Sequence, residues 1–437
     1  MKAKKLLLVI LSGLIALNVG FLACDTVNAK SKSKAKPKLT AWILKTWSEE
    51  TNKGLYDRMI EFGKANKVDI TPVIINSSDI SQKFNAAISS GMMPDVTFCM
   101  PFYLRIMEDK KLCLDITSVV KEIEKKSGKF YSAGLEYGKD KGKNYAFPIY
   151  NETRVLFCRM DLLKAAGYDN PPKTWNELRT MAKAITNKEK GVYGFGDALA
   201  LTDDCENNQR TYLWSWGGQE VKPDSKTVAI NSQQTIAMVR FFTDMLRVDK
   251  SMPETVVNWD DSGNNTAYIS GQCAMVVNTP TILAALDKPE LKHVLNNTKL
   301  APIPAGPAGL TTYGNSVFYM ASSKTKYPAQ AKALLKYLMN KEWYSSWIKS
   351  AAPVNAPSLQ DVANQPFFKR YPQDVCVAGV STGKYLGYPG KATLALNRAY
   401  TERLLGNTYQ NILINHMSVE DAVANWEKSL KGIMNSK

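Results

Sequence analysis

The chain is expected to fold as an α/β protein on mainly parallel sheets with helices on both faces. Three observations lead there. Short apolar runs alternate with segments of helical apolar period from residue 39 onward. Proline, glycine and capping residues punctuate the alternation. The 437 residues are 45% hydrophobic, enough for a large core divided over two or three domains.

The elements follow in order. Leu39 to Leu44, around Trp42, is a strand, and the polar loop Thr46 to Asn52 follows it. Leu55, Met59 and Phe62 recur at helical spacing. Ile70 to Ile75 is a second strand, and Pro72 within it points to a sheet edge or a bend. Asp79 and Gln82 fit a capping box for a helix using Ile80, Phe84, Ala87 and Ile88. Pro94 breaks the chain before a third strand, Asp95 to Met100. Thr153 to Cys158 is strand-like, and Asp161 to Ala166 is a short helix closed by Gly167. After Pro171-Pro172, Thr174 with Glu177 forms a second capping box, with Trp175, Leu178, Met181, Ala182 and Ile185 on the inner face. Ile236 to Val248 is helical, and Cys273 to Val277 is a buried strand. The Pro/Gly-rich stretch Ala301 to Gly309 is the best connection between domains. Pro328 opens a helix, and Ser418 caps the last one, with Val419, Val423, Trp426 and Leu430 inward.

The N-terminus reads as an export signal. Lys2, Lys4 and Lys5 precede the apolar run Leu6 to Ala23, and Val27-Asn28-Ala29 fits a small-residue cleavage site. Phe21-Leu22-Ala23-Cys24 resembles a lipobox, so acylation of Cys24 competes with plain cleavage. Either route makes the protein extracytoplasmic, in the periplasm or on the outer face of the cytoplasmic membrane. Residues 30–37 form a Lys-rich flexible tether that carries part of the +16 net charge. A basic body could favour anionic ligands. No nucleic-acid role is expected, because zinc spacings, RNA-binding signatures and basic heptads are missing. Six cysteines follow Cys24, none in a C-x-x-C pair, so a zinc site is not expected. Cys99, Cys158 and Cys273 lie in apolar runs and read as buried thiols.

No catalytic signature is present. The two histidines, His293 and His416, lie near neither a G-x-S-x-G nor an H-E-x-x-H pattern, and no dinucleotide fingerprint or P-loop is complete. Adjacent carboxylates occur at Glu49-Glu50, Asp203-Asp204 and Asp260-Asp261, and a glycosidase would need an opposed pair. Aromatic-polar clusters are more suggestive. Trp47 lies in the first polar loop, Trp214 and Trp216 precede a Gly-Gly pair, and Trp259 adjoins two aspartates. Trp supplies a flat apolar surface for a sugar ring, and Asp, Glu and Asn bond its hydroxyls. Strand-like alternation predicts one of Trp214 and Trp216 in the core and the other exposed. Trp42, Trp175 and Trp426 read as core.

Several pieces resemble the bacterial extracellular solute-binding proteins of family 1, the maltose-binding-like group serving ABC importers. They are FNAAISSGMMPDV (Phe84 to Val96), the series from Gly142 to Glu177, Trp216-Gly217-Gly218, GQCAMVV (Gly271 to Val277), Pro304 to Gly309 and Gly314-Asn315. Their joint order spans nearly the whole chain after the signal. The resemblance implies a type II periplasmic-binding-protein fold, two α/β lobes with a ligand cleft between them. Lobe one would comprise 38–149 and 303–340, and lobe two 150–302 and 341–437. Crossings are expected near Ile149 to Glu152, Lys299 to Pro304 and Asn340 to Ser350, with closure about these hinges.

By the same resemblance Glu152 matches a hydroxyl-bonding carboxylate at the hinge. Trp47, Glu49 and Glu50 match the first binding loop, Met100 and Tyr103 the loop after the third strand, and Asn278 a cleft edge. Tyr150, Asn151, Trp214, Trp216, Trp259, Gly314 and Asn315 complete the expected ligand set. Thr281 stands where maltose-binding members carry a Trp, so maltose itself is not predicted. The implied role is a monomeric, cofactor-free, non-enzymatic carrier of a mono- or oligosaccharide that delivers to a membrane permease. The alternatives are a glycosidase, a carrier of glycerol phosphate or another small anion, and a surface adhesin.

Overall fold

The computed structural model describes residues 36–436. The expected signal, Cys24 and all but the end of the tether lie outside the described residues. In chain order the strands are β1 (Lys38–Leu44), β2 (Asp69–Ile75), β3 (Val96–Cys99), β4 (Lys139–Asp140), β5 (Lys143–Asn144), β6 (Ala146–Glu152), β7 (Val155–Arg159), β8 (Tyr193–Gly196), β9 (Cys273–Asn278), β10 (Thr298–Ala301), β11 (Thr312–Tyr313), β12 (Asn315–Ala321), β13 (Ala356–Pro357) and β14 (Gly383–Lys384). Two sheets dominate, with strand orders β13-β6-β12-β3-β1-β2 and β10-β7-β9-β8. β2 is a sheet edge, which suits Pro72 because it has no N–H to donate. Each sheet has its own hydrophobic core.

The sheets are mixed rather than mainly parallel. β1 pairs parallel with β2 and β3, and β8 with β9. β12 runs antiparallel to both β3 and β6, and β7 is antiparallel to β9 and β10. The reversed strands flank the crossings: a chain that leaves one sheet and enters the other need not return in the direction of a βαβ unit.

This topology aligns two edges. β6 shares the direction of β1 and β3, so Trp47, Met100 and Glu152 lie at or just beyond the carboxyl ends of one sheet. In the other sheet, β7 starts where β8 and β9 end, since Val155 pairs with Asn278. The link Thr153-Arg154 therefore joins the carboxyl edges of the two sheets. Ligand clefts of open α/β sheets form at such edges.

The other crossings lie later than expected. Leu300 and Ala301 still pair with β7, and Thr311 donates to the Thr211 carbonyl at 2.9 Å. Tyr313 belongs to the second core and Val317 to the first, so the second crossing falls between them. Asn340 to Ser350 is not a crossing. Its helix, Lys341–Ser350, buries Tyr344, Trp347 and Ile348 in the first core. The third passage runs through helix Gln373–Ser381, which sends Val377 and Val380 to the first core and Cys376 to the second lobe.

Local signals decide the helices that position these edges. Ser48 caps helix Glu49–Asn66, Thr174 caps Trp175–Ile185 and Ser418 caps Val419–Asn435, each accepting from the third backbone N–H. Asp79 makes no side-chain cap, because a 3-10 turn already occupies Ser77–Asp79. Among the described residues all six cysteines are free and buried.

Candidate functional site

Glu152 ends β6 and is half-buried where the two edges meet. Asn315, at the start of β12, donates to its Oε2 at 2.8 Å. Burial is the main cause that pushes the Glu152 carboxyl up to about 7, against the opposing pull of Arg154 and the Asn315 bond. Next along the chain is Arg154, buried, whose Nη2 donates to Asp204 Oδ1 at 3.0 Å. Among the described residues its Nε and Nη1 have no protein partner.

The second lobe supplies a polar wall. Asp204 lies in the first turn of helix Asp203–Ser215 and accepts at its Oδ2 from Asn264 Nδ2 at 3.0 Å. Its own backbone N–H donates to Asp261 Oδ1 at 2.9 Å. Burial, with Asp204 and Asp203 nearby, raises the Asp261 carboxyl above its ordinary range. Asn278 ends β9 and donates to Asn264 Oδ1 at 3.2 Å. Tyr400 donates to Asp203 Oδ1 at 2.8 Å, and Arg403 pairs with the same carboxylate. On the first lobe, Trp47 is 71% exposed and faces Leu283, Ala284 and Leu295 of the second across a cavity of about 300 Å³. Asn397 of the second lobe donates to the Phe102 carbonyl of the first at 3.2 Å, so the lobes touch directly.

Of the residues expected at the site, Trp47, Glu152, Asn278 and Asn315 lie at these edges; Trp47 is exposed, Glu152 and Asn315 are half-buried, and Asn278 is buried with its amide and oxygen spent on Asn264, Asn265 and Thr279. Others are committed elsewhere. Tyr150 is buried in the first core, where its ring lies 6.3 Å from that of Trp347. Tyr103 stacks on Phe84 at 4.8 Å, and Met100 immediately precedes its helix. Asn151 spends its amide on Pro357 and Ser358 and its oxygen on Ser316, tying the hinge strands together. Glu49 and Glu50 sit in a helix first turn, where Glu49 pairs with Lys45 and both complement the helix dipole. Gly314 donates to the Lys384 carbonyl, and a Cβ there would sit 2.6 Å from the Tyr385 ring.

Trp214 and Trp216 are both buried, contrary to the alternation expected of a strand. Both lie at the end of helix Asp203–Ser215, which is buried on every side from Asp204 to Ser215, so opposite faces of the helix both meet packed core. Trp214 stacks on Tyr313 at 5.8 Å, and Trp216 packs on Trp175, Phe241 and Phe242. Trp259 is half-buried, its Nε1 donating to Thr255. The residues that sequence reasoning passed over are Arg154, Asn264, Tyr400 and Arg403. Asp203-Asp204 and Asp260-Asp261 were visible as pairs, and the fold brings one member of each into contact.

Residues 58–375 match the profile of the bacterial extracellular solute-binding protein family. The chain belongs to that family. Its members are substrate-binding proteins. A maltodextrin-binding protein from Bacillus subtilis is 24% identical over 74% of each chain. A probable ABC transporter-binding protein from Deinococcus radiodurans is 28% identical over 45% of this chain, which spans about half, 47%, of that relative's length. The fold is that of type II periplasmic sugar-binding proteins. The GacH receptor of Streptomyces glaucescens, solved unliganded and with acarbose, superposes with a TM-score of 0.75 at 21% identity, covering 92% of this chain and 100% of that one.

Proposed function

We propose that the protein is the extracytoplasmic binding component of an ABC importer, which captures a neutral mono- or oligosaccharide between its lobes and delivers it to a membrane permease. The observation that carries this reading is the polar floor at the joined sheet edges, Glu152–Asn315 beside Arg154–Asp204–Asn264. Fixed carboxylates and amides of this kind bond sugar hydroxyls, while Trp47, across the cleft from Leu283, offers an apolar face to a ring. Carboxylates Glu152, Asp203, Asp204 and Asp261 outnumber Arg154 and Arg403. That balance favours a polyhydroxy solute over glycerol phosphate or another small anion in this cleft. Closure follows if the solute contacts both lobes at once, because only differential affinity for the closed state moves the equilibrium.

Native mass spectrometry of the purified protein, followed by thermal shifts against mono- and oligosaccharides, tests the reading. A solute at about 100 times its dissociation constant should stabilise the fold by roughly 2.7 kcal/mol. A co-purified oligosaccharide should be recovered at its intact mass, whereas cleavage products would support a glycosidase. The absence of any shift across the sugar panel would overturn the carbohydrate assignment.

A further inference from the structure

The pole of the first lobe opposite the cleft is built from the amino ends of β1, β2 and β3 and the carboxyl end of β12. Hydrogen bonds join its turns into one surface. The Asp69 N–H donates to the Pro37 carbonyl at 2.8 Å, that of Ser322 to the Asp95 carbonyl at 3.0 Å and that of Ser323 to the Leu112 carbonyl at 2.9 Å. The Thr40 N–H donates to Asp95 Oδ2 at 2.8 Å, which ties β1 to the turn entering β3.

Lysines cover this pole. Lys38 starts β1, and Lys64 and Lys67 stand at the end of helix Glu49–Asn66. Lys110 and Lys111 follow helix Pro101–Asp109, and Lys324 and Lys326 lie between β12 and helix Pro328–Leu338. All seven are exposed, and among the described residues none of them forms an ion pair. The carboxylates in the same turns are Asp69, Asp95 and Asp109, and Asp95 is held by Thr40 and Thr325. Helix dipoles favour a cation at a carboxyl end, but Lys324 and Lys326 precede a helix, where the dipole disfavours them. Local helix stability therefore does not account for the cluster. Met92, in the turn leading to Asp95, is 77% exposed. The segment carrying Lys30, Lys32, Lys34 and Lys36 is continuous in sequence with Pro37 at this pole.

We propose that this pole docks on an anionic lipid bilayer, with the lysines facing lipid phosphates and Met92 entering the headgroup layer. The inference goes beyond the carrier reading and takes from it only an extracytoplasmic place. A lysine near an anionic leaflet strengthens partition by roughly fivefold. An apolar side chain among such lysines adds interfacial anchoring, which a soluble polyanion does not reward. Docked in this way, the protein turns its cleft away from the bilayer and toward incoming solute. Salt screens the contact, so it is reversible, as delivery to a permease requires.

Co-sedimentation of the mature protein, tether retained, with vesicles of phosphatidylcholine alone or mixed with phosphatidylglycerol tests this. Binding is expected to the mixed vesicles only, falling with added salt. The variant Lys110→Gln/Lys111→Gln/Lys324→Gln/Lys326→Gln should weaken it by roughly tenfold or more, and Met92→Ser by roughly threefold. The variant Lys164→Gln/Lys188→Gln/Lys190→Gln/Lys428→Gln removes the same charge from exposed sites on the second lobe and should bind as the wild type does. The proposal is overturned if the mixed vesicles bind no protein, or if the two lysine variants lose binding equally, which would leave only general charge. It is also overturned if the first-lobe variant binds as the wild type does, which would assign the contact to the tether. Binding that soluble polyglutamate competes away and that Met92→Ser leaves unchanged would assign the pole to an anionic polymer and overturn the bilayer.

Discussion

Replacing Glu152 by Gln should remove part of the pH dependence of stability. In the folded protein this carboxyl is held at about 7 instead of its ordinary 4.5, chiefly by burial. Each unit corresponds to about 1.36 kcal/mol, so the group contributes at most roughly 3 kcal/mol, less whatever solvent reaches the half-buried side chain. The folded state keeps a proton that the unfolded chain releases. The contribution is therefore fully present below the ordinary carboxylate range and is lost as pH rises through about 7.

Urea unfolding of wild type and Glu152→Gln at about pH 5 and about pH 8 measures the difference. Glu108 and Asp197 are also pushed up to about 7, so both proteins should weaken toward alkaline pH, the wild type more. Gln keeps an oxygen for the 2.8 Å bond from Asn315, so the change isolates the titration. An identical loss of stability in the two proteins would refute the reasoning. A solute hydroxyl that donates to Glu152 favours the ionised form. Solute affinity of the wild type should therefore rise between about pH 6 and pH 8, with release of a proton, and that of the variant should stay flat.

Other consequences are as direct. Arg210 is fully buried, forks onto Glu220 with two bonds of 2.8 Å and reaches Glu206 at 3.0 Å. Arg210→Met leaves both carboxylates buried without their partner and should cost about 3–5 kcal/mol in chemical denaturation, and a cost under ~1 kcal/mol would contradict the network. A Cβ on Gly194 would stand 2.2 Å from the backbone of Ala182, so Gly194→Ala should separate helix Trp175–Ile185 from β8 and destabilise by roughly 1–3 kcal/mol or more. Trp47→Ala should change stability by less than about 0.5 kcal/mol yet weaken sugar binding by about 0.5–1.5 kcal/mol, a split readable by thermal shift and titration on the same variant. Thiol titration of the folded protein should leave Cys99, Cys113, Cys158, Cys205, Cys273 and Cys376 unreacted until denaturant is added, since all six are buried.

Local features were legible along the chain because their causes are local. The caps at Thr174 and Ser418, the breaker Pro94, the proline opening the helix at Pro328 and the inward faces carrying Trp175 and Trp426 follow from residues within one or two turns. The order of these elements also sufficed to recognise the family and its two-lobed architecture.

Tertiary structure decided the rest. An apolar run reads the same in a parallel and an antiparallel sheet, so the reversed entries of β7 and β12 carry no local signature. That Trp214 and Trp216 are both buried depends on packing around every side of helix Asp203–Ser215, which the residues of the helix do not announce by themselves. Asp204 and Asp261 are 57 positions apart and meet only because the starts of helices Asp203–Ser215 and Gly263–Ile269 come together in the fold. Arg154 gained its place in the floor in the same way, as the residue that happens to span from one sheet edge to the other. The sequence by itself determined the capped and proline-bounded elements and their order. Sheet direction, crossing points and the assembly of the polar floor required the long-range pairing of strands, which no local period encodes.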